Sequence, residues 1–219
     1  MYCVILGGSD FAMDLALFMM QREQSKIVLV LREKEKAIEA SESLGSGAIV
    51  VNADSSDPKT LEDLDLESCD VLVAATPSEK ANVLAALYAK NRGAKEIFVK
   101  VDSTETKKLM KKLEITLIDT EEVAARAIEL MISMPAVSEL VNTGIGQFDM
   151  FEIPAKSTKT AGRMVSEIQG DDFACLATYR NREYSFDKDR KIESDHTLIV
   201  LTKSLKQKET AKKLKAGKW

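Results

Sequence analysis

Short apolar runs rich in β-branched residues alternate with amphipathic segments through the first part of the chain. Six of these runs predict β-strands that are buried on both faces, at 2–6, 27–31, 48–51, 70–75, 96–101 and 115–118. The intervening segments have helical periodicity and predict helices at 10–22, 33–44, 58–64, 78–92 and 104–113. Strand alternating with helix at this spacing predicts an α/β fold with a Rossmann-like, doubly wound parallel sheet.

Two predicted helices carry recognisable start signals. Asp57 places a capping carboxylate before Pro58, and proline is well tolerated at the first helical position. The segment Thr76-Pro77-Ser78-Glu79 fits a capping box with a proline inside it. Both helices are therefore expected to begin directly after the preceding strand or a short turn.

The carboxyl ends of the predicted strands mark the expected functional rim. In open parallel sheets, ligands bind in the crevice outside those ends. The residues expected to converge there are Gly7, Arg32, Asp54, Thr76 and Lys100.

A further helix is predicted at 119–133, with Asp119 as N-cap and an end before Pro135. Its apolar residues cover more than one helical stripe, so it needs burial on several sides. A second copy of the chain is one natural cover. The alternative is burial against the C-terminal part of the same chain.

After Pro135 the pattern changes to short alternating strands, predicted at 148–153, 173–179, 182–186 and 197–202, with one helix at 160–168. The two central strands are expected to turn at Arg180-Asn181, where asparagine can adopt positive φ. This predicts a small α+β domain. The expected organisation is a Rossmann-like domain at 1–134, the small domain at 135–203 and a basic tail at 204–219.

Charge is distributed unevenly along the chain. The segment 203–219 has seven lysines and one glutamate, a net +6, so residues 1–202 carry −10 of the total of −4. The body should therefore repel nucleic acid, and no nucleic-acid partner is expected. We expect the lysine-rich end to be a solvated helix or a frayed terminus; contact with anionic lipid or an acidic partner is the alternative.

Composition excludes several other classes of protein. No apolar stretch approaches the roughly 18–20 residues of a membrane span, and the first strand runs into a glycine turn instead of a cleavage site, which predicts a cytosolic protein. Cys3, Cys69 and Cys175 are odd in number and far apart, and His196 is the one histidine. Neither a disulfide framework nor a metal site is expected.

The turn after the first strand resembles a phosphate-binding fingerprint. It reads Gly7-Gly8-Ser9-Asp10-Phe11-Ala12 between a strand and a helix. Ser9 occupies the position where a second glycine normally lets the backbone approach a pyrophosphate. Phosphate could still bind the helix N-terminus, whereas a closely held dinucleotide should be disfavoured. A purely structural turn is the alternative.

The end of the second strand also departs from the usual dinucleotide pattern. Arg32 stands where an acidic residue normally accepts hydrogen bonds from the ribose. Arg32 could instead pair with a phosphate, with Glu33 as a substitute acceptor. A solvated surface arginine is equally compatible with the sequence.

Two segments in matching order resemble the TrkA/KTN family, whose RCK domains regulate potassium channels and transporters. The first is Asn52-Ala53-Asp54-Ser55-Ser56-Asp57-Pro58-x-x-Leu61, and the second is Ala74-Ala75-Thr76-x-x-Glu79-x-x-Asn82. Residues 148–203 are similar to the family's C-terminal domain, including Ala161-Gly162-Arg163 and Ser194-Asp195.

The resemblance implies a cytoplasmic regulatory subunit on the inner face of the membrane. It would pair into dimers, assemble into an octameric gating ring and control a membrane potassium pore subunit. The implied nucleotide site consists of Gly7, Gly8, Ser9, Asp10, Phe11, Arg32, Asp54, Ser55, Ala75, Thr76, Glu79 and Lys100. Because of Ser9, AMP, ADP or ATP is expected to suit this site better than NAD(H).

Two other functions compete with this interpretation. Arg32 could read the 2′-phosphate of NADP in a small oxidoreductase, but His196 lies in the second domain at a strand start, where a turn or surface role is expected, and no Tyr-x-x-x-Lys motif accompanies it. The altered residues Ser9 and Arg32 also fit a nucleotide-blind scaffold subunit in a ring shared with a paralogous chain. The sequence favours a regulatory protein without catalytic residues.

Overall fold

The computed structural model describes residues 1–20, 25–135, 137–138, 148–203 and 206–219. These residues form two compact units, Met1–Glu122 and Val123–Trp219. The division falls within the helix Thr120–Ser133. The sequence instead places that whole helix with the N-terminal domain, and this domain boundary stays a prediction.

The first unit is a six-stranded parallel sheet with helices in its connections, as the sequence predicts. Its strand order is β3-β2-β1-β4-β5-β6. The strands are β1 Tyr2–Leu6, β2 Lys26–Leu31, β3 Ile49–Asn52, β4 Val71–Ala74, β5 Glu96–Lys100 and β6 Thr116–Ile118. Its helices are α1 Asp10–Met20, α2 Lys34–Leu44, α3 Pro58–Glu62, α4 Glu79–Arg92 and α5 Thr104–Lys112, and α6 Thr120–Ser133 follows across the division between the units. Residues 21 and 22 of the first predicted helix lie outside the described residues.

Both faces of this sheet are buried because the strands are apolar at successive positions. On β1, Val4 and Leu6 belong to one core cluster, whereas Cys3 and Ile5 belong to a second cluster. Side chains alternate between the faces of a strand, so the two clusters lie on opposite sides of the sheet. The two hydrophobic layers hold the strand ends that form the site.

Two of the predicted helix starts are confirmed. The Asp57 carboxylate accepts a hydrogen bond from the amide of Lys59, and Pro58 opens the helix. The Asp119 carboxylate accepts a hydrogen bond from the amide of Glu122 at the start of α6.

The predicted capping box at Thr76 is wrong. Helix α4 begins at Glu79, and Ser78 is its N-cap, accepting a hydrogen bond from the amide of Ala81. The hydroxyl of Thr76 instead donates to the side-chain oxygen of Asn82. The same hydroxyl also accepts a hydrogen bond from the Ser78 amide at 3.2 Å, so Thr76 lies before the N-cap and does not cap the helix itself.

The second unit contains an antiparallel sheet in the order β10-β9-β11-β7, with β8 paired to β9. Its elements are β7 Phe148–Pro154, β8 Gln169–Gly170, β9 Phe173–Arg180, β10 Glu183–Ser185, β11 Thr197–Lys203 and the helix α7 Gln207–Ala216. Buried Phe151, Ile168 and Leu198 contribute to its core. An α+β domain is therefore present, as predicted.

The helix predicted at 160–168 is absent. The segment contains turns and one short 3₁₀ helix at Val165–Glu167. Its backbone bonds to the chain around residue 190: the Gly162 amide donates to Ile192, and the Val165 amide donates to Arg190. Backbone groups paired in this way cannot form the i to i−4 ladder of an α-helix.

The β9–β10 hairpin turns one residue later than predicted. Asn181 and Arg182 both have positive φ, 51° and 67°, and Glu183 pairs with Arg180. The predicted positive φ at Asn181 is confirmed, but Arg180 belongs to the strand. Two successive residues with positive φ match the twist of the flanking strands.

The lysine-rich C-terminal segment forms α7, and one face of this helix is buried. Thr210 and Leu214 are 2% and 0% exposed, and Leu214 belongs to the core cluster of the second unit. The Thr210 hydroxyl also forms a hydrogen bond with Thr202 on β11. A helix was one of the expected forms of this segment, but the buried face shows that it is part of the packed unit and not wholly solvated.

The three cysteines are buried, free thiols. Burial raises the pKa of Cys3 to about 12 and that of Cys175 to about 11. Such thiols pack as small apolar side chains and react slowly. Across the described residues, no helix is both long enough and apolar enough to span a membrane.

Candidate nucleotide site

Gly7 begins the candidate site at the point where the strand order reverses. Strand β1 pairs with β2 on one side and β4 on the other, which makes this edge the switch point of the sheet. The φ of Gly7 is +137°, and a Cβ on it would lie 2.6 Å from the carbonyl oxygen of Ala75. Only glycine fits this close approach.

The N-terminus of α1 follows this turn. The Ser9 carbonyl accepts hydrogen bonds from the amides of Ala12 and Met13, so the helical pattern is established from Ser9 onward. The first amides of a helix have no intrahelical acceptor, and the helix dipole adds partial positive charge there. Asp10 lies in the first turn and adds a negative charge near these amides. Phe11 is 37% exposed.

Arg32 and Asp54 meet across the ends of β2 and β3. The Arg32 Nε and the Asp54 Oδ2 are 3.6 Å apart, and their side chains are 82% and 41% exposed. The sequence singled out both residues, but their pairing depends on the parallel register that sets Leu31 beside Asn52. The pair places a cation and an acceptor together on the rim.

Local hydrogen bonds fix the position of Asp54. Its Oδ1 accepts from the Ser56 amide at 2.8 Å and from the Ser56 hydroxyl at 2.6 Å. These bonds lower the pKa of Asp54, and the Arg32 guanidinium contributes a smaller lowering. Asp54 is therefore a carboxylate near neutral pH, and acts as a hydrogen-bond acceptor. Ser55 beside it is buried.

The Asn52 side chain braces the same corner of the rim. Its amide group donates to the carbonyls of Leu31 and Arg32, each at 3.0 Å. The end of β2 is thereby tied to the end of β3.

Asn82 organises the β4 and β5 ends of the rim. Its side-chain oxygen accepts from the Thr76 amide at 2.8 Å and from the Thr76 hydroxyl at 2.6 Å. Its amide donates to the carbonyls of Thr76 and Lys100 at 3.0 and 3.1 Å. Asn82 is 1% exposed. It is part of the motif that carries the family resemblance, yet it was not among the predicted site residues; an amide on the alanine-rich inner face of α4 was the available signal.

The Glu79 carboxylate binds the start of α5. It accepts from the amides of Asp102 and Ser103 at 2.8 and 2.9 Å, and from the hydroxyls of Ser103 and Thr106 at 2.7 and 2.5 Å. These four bonds lower the pKa of Glu79 to about 2. Glu79 thus ties α4 to α5, whereas its predicted contact with a nucleotide stays a prediction.

The first unit therefore brings the predicted residues together in pairs. Gly7 approaches Ala75, Arg32 approaches Asp54, and Asn82 links Thr76 to the main chain of Lys100. Lys36, which was not among the predicted site residues, also lies against the glycine turn: its Cδ is 3.7 Å from where a Cβ on Gly8 would be. The sequence did not single out Lys36, because it lies in the charged run Arg32-Glu33-Lys34-Glu35-Lys36.

A second polar cluster lies in the second unit, at the start of β11. Ligand atoms of Glu193, Asp195 and His196 are within 4.8 Å of one another. Arg180 already pairs with Glu193 at 2.8 Å and with Asp195 at 2.7 Å. His196 is 1% exposed, and its Nδ1 accepts from the Glu193 amide. The expected turn role of His196 is present and an exposed surface role is excluded; the cluster is an ion-pair network around an arginine.

Known proteins are similar to both parts of the chain. The TrkA-N domain family model matches residues 3–121. The Trk system potassium uptake protein TrkA homolog of Methanothermobacter thermautotrophicus is 27% identical over 216 residues, which cover 97% of this chain and 99% of the relative. The TrkA homolog 1 of Methanosarcina mazei is 31% identical over 102 residues, 47% of this chain but only 25% of that protein. The chain is thus much shorter than some of its relatives.

Solved structures support the same fold. The GsuK RCK domain has a TM-score of 0.50 at 14% identity, covering 98% of this chain and 47% of that one. The TrkA-N domain of the inner membrane protein ybaL from Escherichia coli has a TM-score of 0.53 at 13% identity, covering 60% and 96%. The strand order, the glycine turn and the matched segment together lead to one conclusion: this chain belongs to the TrkA-N family.

Proposed function

We propose that the chain is a cytoplasmic regulatory subunit that binds a nucleotide and controls a potassium channel or transporter. The observation that carries the proposal is the rim itself, where a glycine turn, a helix N-terminus and the Arg32–Asp54 pair stand at the switch point of a parallel sheet. Its potassium-related role follows from relatives that are named potassium uptake proteins. Regulation without catalysis is part of the proposal.

The proposed ligand is an adenine mononucleotide, namely AMP, ADP or ATP, in preference to NAD(H). A mononucleotide needs one phosphate site at the α1 terminus and an acceptor for its base or ribose. Asp54, ionised at neutral pH, supplies that acceptor. A dinucleotide would also have to pass its pyrophosphate over Ser9, whose β-carbon stands where glycine is usual.

A calorimetric panel tests the ligand. ATP, ADP and AMP should each bind more tightly than NAD+, and Asp54→Ala should weaken binding about tenfold by removing a hydrogen-bonding acceptor. Ser9→Gly should raise the affinity for NAD+ more than that for ATP. Equal or tighter binding of NAD+ by the unaltered protein would contradict the argument from Ser9. NAD(P)H binding accompanied by turnover would support the oxidoreductase alternative.

We further propose that this chain self-associates through α6 and assembles into an octameric ring at the inner face of the membrane, against a pore subunit. None of the residues of α6 is buried within the described chain, and Val123, Ile128 and Ile132 are 63%, 57% and 77% exposed. So much exposed apolar surface on one helix is typical of an interface. With the domain boundary expected at residue 134, α6 would belong to the N-terminal domain.

Reconstitution tests the regulatory role. The pore subunit alone and the pore with this chain should be compared in vesicles for potassium flux, with and without the tightest nucleotide of the panel. We expect the nucleotide to change flux only when the chain is present. Flux that ignores both the chain and the nucleotide would refute the regulatory proposal.

A further inference from the structure

The first turn of α2 lies beside the glycine turn of the candidate site. A Cβ on Gly8 would be 3.4 Å from Leu31 and 3.7 Å from the Cδ of Lys36. The hydrocarbon stem of Lys36 therefore runs along Gly8, just before the N-terminus of α1. Its ammonium group pairs with Glu33 at 2.7 Å, and the two side chains are 53% and 60% exposed.

The position of Lys36 matters because the candidate site contains an unfavourable negative charge. Asp10 in the first turn of α1 places a negative charge where a phosphate should bind. The hydrogen bond that Lys36 donates to Glu33 is the main cause of the raised pKa of Lys36, and the charge of Asp10 contributes a smaller part. A cation in that position offsets the repulsion between Asp10 and a bound anion.

Arg32 is less well placed to do the same. It extends from the end of β2 toward Asp54, at the β3 side of the rim. The Lys36 stem, in contrast, lies on the glycine turn itself. The two cations therefore lie at different parts of the rim.

We propose that Lys36 is the residue that sets specificity for the number of phosphates on the ligand. Its ammonium would leave Glu33 and donate to the oxygens of the β- and γ-phosphates, so that ATP binds more tightly than AMP. The inference rests on the proposed adenine nucleotide site and adds the group that reads its phosphate chain. A flexible lysine suits this task, since it presents a mobile point charge with three donors.

Calorimetry on the full chain with ATP, ADP, AMP and adenosine tests the proposal. Lys36→Met keeps the stem that lies on Gly8 and removes the charge. We expect it to weaken ATP binding about tenfold, AMP binding less, and adenosine binding not at all, the size expected for one charge-assisted hydrogen bond. Lys34→Met, an exposed neighbour on the same helix, is the matched control and should leave all four affinities unchanged.

The outcomes separate this inference from the proposed function. If the unaltered chain binds none of the four compounds, the nucleotide site itself is wrong and Lys36 has no role. If the chain binds ATP and Lys36→Met lowers all four affinities equally, or none, then the nucleotide proposal stands and the role of Lys36 is refuted.

Glu33 offers a second, independent variant. Glu33→Gln should raise the affinity for ATP two- to threefold, because Lys36 no longer has to leave a charged partner. A loss of ATP affinity in this variant would show that Glu33 contacts the nucleotide, and would overturn the proposed exchange of Lys36 between Glu33 and phosphate. Thermal unfolding of each variant verifies that the fold is retained.

Discussion

Asn82 shows how one buried amide can hold two strand ends in place. The four described hydrogen bonds of its side chain join α4 to the segment that follows β4 and to the end of β5. Asn82→Ala would leave the Thr76 amide and the carbonyls without this partner, so we expect the free energy of unfolding to fall by about 3 kcal/mol. Urea unfolding measures the change. Asn91→Ala, at an exposed position of the same helix, should cost under about 0.5 kcal/mol.

Glu79 gives the fold a dependence on acid. Its pKa is about 2 in the folded protein, below the ordinary value of 4.5. The ionised form is therefore favoured by folding: its contribution is fully present above pH 4.5 and is lost as the pH falls toward 2. Glu79→Gln should lower the free energy of unfolding by about 2 kcal/mol at pH 7 and should flatten the pH dependence between those values.

Unfolding curves at several pH values test Glu79 against a neighbour of the same type. Glu62→Gln, at an exposed position on α3, removes the same charge without these hydrogen bonds and should leave the pH dependence almost unchanged. If the free energy of unfolding depends on pH equally in both variants, the role of Glu79 at the start of α5 is contradicted.

At the scale of elements, α6 is a candidate dimer interface. Ile128→Glu should convert a dimer of about 48 kDa, twice 24.2 kDa, to a monomer, because a charge in an apolar interface costs several kcal/mol. Light scattering at micromolar concentration measures the mass. Glu129→Lys changes the charge of the same helix on the polar side that it shares with Glu122 and Arg126, and should leave the dimer intact. An unaltered chain that is monomeric at these concentrations would remove the pairing proposal.

Helix α7 should stabilise the second unit through its buried face. Leu214 is fully buried in the core cluster, so Leu214→Ala should lower the free energy of unfolding by about 2–5 kcal/mol. Leu176 on β9 is 37% exposed, and Leu176→Ala should cost clearly less. Hydrogen exchange of the β11 amides would localise the effect of Leu214. Equal stability losses in both variants would indicate that α7 does not pack as described.

At the scale of the whole molecule, the altered glycine pattern raises the question of a partner subunit. Ser9 and Arg32 depart from the usual dinucleotide site, whereas the sheet and the second unit are intact. We predict that the chain assembles with a paralogous subunit that carries the complete pattern. Nucleotide bound by one subunit would then alter the nucleotide affinity of the other through their shared interface. This coupling of affinities is reciprocal.

Co-expression with a paralogue, followed by native mass spectrometry, tests the mixed assembly. A fixed ratio of the two chains in one complex is the expected result, together with a changed nucleotide affinity of the paralogue. A homogeneous homo-oligomer formed in the presence of the paralogue would refute it.

The sequence by itself determined the class of fold, because that depends on local and periodic signals. Apolar runs such as Val4–Leu6 need burial on both faces, and the Asp57-Pro58 cap acts within one turn of its helix. The role of Gly7 was also predictable, since a tight turn between a strand and a helix requires a glycine. The strand ends then had to meet at one rim.

Tertiary structure alone decided which side chains meet and where hydrogen bonds are made. Residues 160–168 form hydrogen bonds with the segment around residue 190 in place of the predicted helix. Lys36 reaches the glycine turn only because α2 packs beside it. These outcomes depend on partners distant along the chain, whose competition with local bonding no short-range pattern encodes.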